Sequence, residues 1–107
     1  MPSSLVTVMA LRNEYHLSLK INGKQLSRVV ISQHYRLKHS DINDELILRL
    51  LKTLDAGEFE IQERKGSFEY FAVEPVWLDE KPYRLVLCMS KEDDFLGVVN
   101  AFRRSKK

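Results

Sequence analysis

The stretch Ile31–Gly57, ISQHYRLKHSDINDELILRLLKTLDAG, decides how the chain reads. In its second half Ile42, Leu46, Ile47, Leu50, Leu51 and Leu54 recur at i, i+4, i+5, i+8, i+9 and i+12, the spacing that lines one face of an α-helix. Ser40 or Asp41 can serve as N-cap, its side-chain oxygen accepting a bond from an orphan backbone N–H. Asp44 and Glu45 suit the positive end of the helix dipole. Glu45 and Arg49 stand i, i+4 in the favourable order. Gly57 can take the left-handed conformation that closes a helix. The spacing predicts a helix over 41–54 whose apolar stripe is core.

The polar run before this helix carries two of the three histidines. As a strand, His34, Arg36 and Lys38 share one face. As a helix, His34 and Lys38 are i, i+4 neighbours. Either way they fall on the same side. A histidine can move protons near neutral pH, and a lysine beside it can hold an anionic group. The plain alternative is an exposed polar lead-in to the helix.

A chain of 107 residues is long enough for one domain with a hydrophobic core of its own. A single cysteine, Cys88, excludes an internal disulfide. It falls in the apolar run YRLVLCM and reads as a buried small side chain, not a nucleophile. A reducing compartment fits. The opening MPSSLVTVMALRNEY lacks a basic leader, and its apolar part is too short to cross a bilayer. A cytoplasmic protein with no membrane segment is expected. Charge is unevenly spread: residues 1–39 hold six Lys/Arg against one acid, residues 40–100 seven against fourteen, and the tail adds Arg103, Arg104, Lys106 and Lys107. If the basic ends meet, they form one positive surface. The alternative is a solvated hairpin and a loose basic tail.

Outward from the helix the chain reads as strands. Leu5–Leu11 is a short β-prone run. Tyr15–Ile21 and Gln25–Ile31 flank Asn22-Gly23, a strong signal for a two-residue hairpin because both central residues need positive φ. After Gly57 the segments Phe59–Arg64, Phe68–Val76, Tyr83–Met89 and Phe95–Phe102 read as four strands. Pro75 should end its ladder or mark an edge. Tyr83–Met89, apolar on both faces except at Arg84, should be central and well covered. Short connections favour an antiparallel meander, and the helix is the obvious cover for it. The expected fold is therefore α+β in a single domain: an N-terminal β-hairpin region over 5–31, one main helix over 41–54, and an antiparallel four-stranded meander over 59–102 with the helix packed on it.

Few motifs carry chemistry. One cysteine and three dispersed histidines do not make a zinc site of standard spacing, and the four isolated glycines form no phosphate loop. No metal and no cofactor are expected. Asp93 and Asp94 read as solvated turn residues. His34 and His39 are candidate acid and base. Arg36, Lys38, Arg84 and Arg103 are candidate anion clamps, since a guanidinium matches phosphate geometry. Glu74 interrupts an apolar strand and needs a partner, such as Arg84 on a neighbouring strand. That pair is either structural or part of a site. Tyr70, Phe71, Tyr83 and Trp77 offer stacking surfaces or core.

The pieces HYRLKH (34–39), the helix from Asp41, and the closing strand LGVVNAFRR (96–104) resemble in layout the small bacterial toxin ribonucleases, the superfamily of RelE-like toxins, colicin tRNases and barnase-like enzymes. The resemblance covers residues 31–104 and implies metal-free RNA cleavage. By position it implicates His34 and Lys38, then His39, Arg84 and Arg103. Such cleavage needs a base for the 2′-OH, an acid for the leaving oxygen, and cations for the charge on phosphorus. Against this stands a non-enzymatic interaction module, a protein partner or homodimer being its natural counterpart. Exposed Trp77 or Phe102 would favour it, since aromatic anchors concentrate at interfaces. A small molecule between helix and sheet is the third reading. The interaction module is the main expectation and the ribonuclease its alternative.

Overall fold

The computed structural model describes residues 12–33, 35 and 41–104. The hairpin forms as the sequence predicts. Strands β1 (Arg12–Ile21) and β2 (Lys24–Ser32) pair antiparallel across Asn22 and Gly23, whose φ angles are 52° and 78°. Leu5–Leu11 and Ser40 lie outside the described residues.

The helix, α1 (Asp44–Lys52), is shorter than expected. Its N-cap is Asn43, not Ser40 or Asp41. The Asn43 side chain accepts the Leu46 backbone N–H at 2.8 Å. Ile42, Ile47, Leu50, Leu51 and Leu54 are buried as their spacing demands. Gly57 is not the left-handed terminator. Ala56 takes that conformation, at φ 68°, and Gly57 is needed for space: a Cβ there would lie 2.7 Å from the Phe59 ring and 2.9 Å from the Leu54 carbonyl.

Four more strands follow: β3 (Glu63–Lys65), β4 (Phe68–Leu78), β5 (Lys81–Ser90) and β6 (Phe95–Arg103). The predicted strand at Phe59–Arg64 shrinks to three residues. Phe59 and Ile61 pack against the core instead of pairing, and Phe59 stacks on Phe71 at 5.9 Å. Pro75 does not end the β4 ladder. It sits in a bulge between Val73 and Val76, in the half of β4 that β3 does not reach.

The expected architecture, a hairpin region beside a helix on a four-stranded antiparallel meander, is overturned. All six strands form one mixed sheet in the order β1-β2-β6-β5-β4-β3. β2 pairs parallel with β6, setting Val29 beside Leu96 and Ile31 beside Val98. The hairpin thus supplies two of the sheet's six strands. Parallel neighbours require a crossover connection, and here that connection contains α1, which covers one face of the sheet. That face carries Val29, Ile31, Phe71, Leu85, Leu87, Leu96 and Val98, which form one buried cluster with Ile47, Leu50 and Leu51. Among the described residues no helix is long and apolar enough to cross a membrane.

The close approach at Gly57 yields a test. Gly57→Ala should destabilise the fold by about 1–3 kcal/mol, because a backbone carbonyl as well as a ring must move. A urea midpoint unchanged from the parent would refute this packing.

Candidate functional site

His34, Arg36, Lys38 and His39 lie outside the described residues. Arg84 and Arg103 do not converge. Arg84 stands opposite Phe102, whereas Arg103 stands opposite the buried Tyr83. Successive residues of a strand face opposite sides, so the two arginines lie on opposite faces. Arg84 is also engaged. Its guanidinium hydrogen-bonds the Glu74 carboxylate and lies over the Phe102 ring at 6.0 Å. The second Glu74 oxygen takes Arg104 Nε at 3.0 Å. The carboxylate that interrupts β4 therefore has the cross-strand partner its position called for.

The four aromatics divide between the faces. Phe71 and Tyr83 are core, while Tyr70 and Trp77 stand on the face that α1 does not cover. Along β5 the division is plain. Leu85 and Leu87 are fully buried, whereas Arg84, Val86 and Cys88 between them stay half-buried although β5 has strands on both sides. Tyr83–Met89 is central as expected, but it is well covered on one face only. Side-chain rows cross the open face: Ala72–Val86–Asn100, and Tyr70–Cys88–Gly97–Val30. Cys88 is half-buried. Burial pushes its thiol up to about 11, against a lowering hydrogen bond from the Gly97 backbone, so it stays protonated and unreactive. Trp77 is 56 % exposed.

Three arginines along this face are paired with carboxylates. Arg28 bonds Glu14 at 3.2 Å and Asp94 at 3.5 Å, and it lies over Phe95 at 5.5 Å. A hydrogen bond from Ser27, helped by Arg28, holds the Asp94 carboxyl below its ordinary value. With Glu74 shared by Arg84 and Arg104, three guanidiniums meet three carboxylates.

On the covered side, sequence reasoning missed a polar cluster. Asp44, in the first turn of α1, is only 6 % exposed. Its carboxylate accepts from Asn13 Nδ2 at 2.7 Å, Tyr15 Oη at 2.6 Å, Tyr35 Oη at 2.5 Å and Gln33 Nε2 at 3.2 Å. Burial alone would raise its pKa, but these donors together hold it below the ordinary carboxylate value. The cluster ties β1 and the β2–α1 connection to the helix start. The signal available in the sequence was strand alternation, which puts Asn13 and Tyr15 on one face, and the ladder sets them opposite the buried Ile31 and Val29, where polar atoms need buried partners. A shallow concavity lined by Asn22, Glu58, Phe59 and Glu60 lies by the hairpin turn. Its amide is already committed: Asn22 Nδ2 donates to the Phe59 carbonyl and its Oδ1 accepts the Phe59 N–H.

No protein-family model matches the chain, and no curated protein or solved structure does either.

The Asp44 cluster sets an acid limit on stability. A carboxyl whose folded pKa lies below the unfolded value contributes fully above about 3.8 and loses that contribution as pH falls through the lower folded value. Asp44→Asn should cost about 1–3 kcal/mol near neutrality, since donors are left facing an amide. The gap between variant and parent should close as pH drops below about 4. Asp94 titrates with the same sign, so the difference between the two urea midpoints, taken at each pH, isolates Asp44. A gap independent of pH would refute the assignment.

Proposed function

We propose that this domain is a protein-interaction module, with Trp77 as its anchor. The observation that carries the reading is a tryptophan 56 % exposed on the sheet face that α1 leaves uncovered. Large aromatic side chains dominate binding energy at protein interfaces because they bury much area at little entropic cost. The charge pattern favours protein over RNA. An RNA surface requires unmatched cations to contact phosphates, and Arg28, Arg84 and Arg104 on this face are already paired with carboxylates. The engaged state of Arg84 also weakens the anion-clamp role on which the ribonuclease alternative draws. A reducing cytoplasmic setting suits a chain with one cysteine.

The test is a photoreactive residue placed at position 77 in the cell of origin. It should yield a discrete adduct with one protein. Trp77→Ala should weaken binding of that protein by about 2 kcal/mol or more, roughly thirtyfold, while shifting folding stability by less than about 0.5 kcal/mol. Absence of any adduct, together with RNA cleavage in EDTA that vanishes in His34→Ala, would replace this reading with the ribonuclease.

A further inference from the structure

We infer that the apolar centre of the open face is the docking site of a segment of this same chain, Leu5–Leu11, which precedes β1. The centre is apolar and accessible: Val30, Ala72 and Val86 are half-buried, and no described element crosses them. Val99 on β6 is exposed. A sheet with an apolar centre on its free face calls for a second layer, and the composition of the chain limits what can supply it. Residues 1–11, 34, 36–40 and 105–107 lie outside the described residues. Residues 34 and 36–40 hold two histidines, an arginine and a lysine around one leucine, and the tail is Ser105-Lys106-Lys107. Charged groups of this kind lose too much hydration to lie on apolar surface. The first eleven residues are the opposite. In a chain 30 % charged they carry no charged side chain, and Leu5, Val6, Val8, Met9, Ala10 and Leu11 are apolar.

The point where this segment joins the sheet fits the same placement. Arg12 stands opposite Ser32, and Ile31 beside Val98 sets Ser32 level with Val99. The chain therefore enters β1 level with the row Ala72–Val86–Asn100 that crosses the centre of the open face. From β1 across β2, β6 and β5 to β4 is four strand spacings, about 19 Å. Leu5–Leu11 fully extended spans about 23 Å, enough to cross that row from edge to edge. The opposite face already has α1 over its buried cluster. An uncharged segment also needs no counterpart for the charges of the open face, Arg12 included, which alternation sets beside Glu14. Trp77, opposite Pro82, lies beyond the level of Arg103 and stays clear of this row. The inference thus goes beyond the partner reading and does not rest on it.

The experiment places a photoreactive residue at position 8, and separately at position 9, of the full chain, because neighbours in an extended segment face opposite sides. On irradiation at least one of the two should give an adduct within the chain on the open-face residues Val30, Ala72, Val86 or Asn100. An adduct on α1, an adduct between two chains, or no adduct from either position would overturn the inference. The paired measurement is the emission of anilinonaphthalene sulfonate, which reports accessible apolar surface. Val8→Asp combined with Met9→Asp should raise that emission by about twofold or more in a chain that still unfolds cooperatively in urea, since carboxylates do not stay on an apolar face. Emission equal to the parent's would overturn the inference as well. If the segment is refuted while position 77 cross-links one protein, the interaction module stands. If positions 8 or 9 give the expected adduct while position 77 cross-links nothing, the cover stands and the interaction module falls.

Discussion

The parallel pairing of β2 with β6 is the contact on which the rest of the molecule depends. It joins residues 28–31 to residues 95–98, more than sixty positions away in the chain. Burial, not charge, holds it. Val29, Ile31, Leu96 and Val98 are all but inaccessible, and each aliphatic side chain so buried contributes about 1.5–3 kcal/mol. The Arg28–Asp94 ion pair at the seam is exposed to water and adds little. Arg28 also lies over the Phe95 ring, and Ser27 bonds Asp94, in the observed alignment.

From that seam the other features follow. Because β3, the next strand after β2, lies at the opposite edge of the sheet, the chain crosses between them, with α1 on one side. The Asp44 cluster fixes where the crossing starts, gathering Asn13 and Tyr15 of β1 with Gln33 and Tyr35 of the connection. The connection after α1 closes against the hairpin, where Ile21 bridges Gly57 and Phe59 slots onto Phe71. The face opposite α1 receives no described element, and its central strand stays accessible at Val86 and Cys88.

Local chemistry was legible in the sequence; long-range pairing was not. Asn22-Gly23 specifies its turn through backbone sterics alone, and the leucine stripe of α1 through periodicity alone. Glu74 announced its need for an arginine because an exposed acid in an apolar strand has few other solutions. By contrast, parallel pairing leaves no turn between its partners, and the one hint was the uninterrupted Val29-Val30-Ile31, typical of a strand flanked on both sides. Asn43 is the N-cap because the helix begins at Asp44, a boundary that periodicity does not fix. Phe59 and Ile61 alternate like a strand, yet the same alternation serves an extended segment that packs without pairing. The expected site fared as its long-range content required. Arg84 was placed with its carboxylate, while its convergence with Arg103 depended on a register that composition does not encode.

That register is set by a bulge in β6, and with a second in β4 it decides what this end of the open face displays. In β6 the extra residue at Val99 shifts the pairing with β5 from Leu87↔Val98 to Val86↔Asn100. Carried on without it, the ladder would set Phe102 opposite Tyr83 in the core and Arg103 opposite Pro82 on the same face as Arg84. In β4 the extra residue within Glu74-Pro75 shifts Val73↔Leu85 to Val76↔Tyr83. Without it Trp77 would turn toward the helix side and Val76 would turn outward. A one-residue slip reverses every side chain beyond it, and a bulge is the means of making that slip at a chosen place. Each bulge moves an aromatic ring out of the core side and onto the uncovered face, at the same end of the sheet. A core that sought only to bury apolar area would have kept Trp77 inside, since a buried tryptophan is among the largest single contributions available. The chain instead interrupts the β4–β5 ladder to hold it in solvent, a displacement that the proposed interaction surface would use.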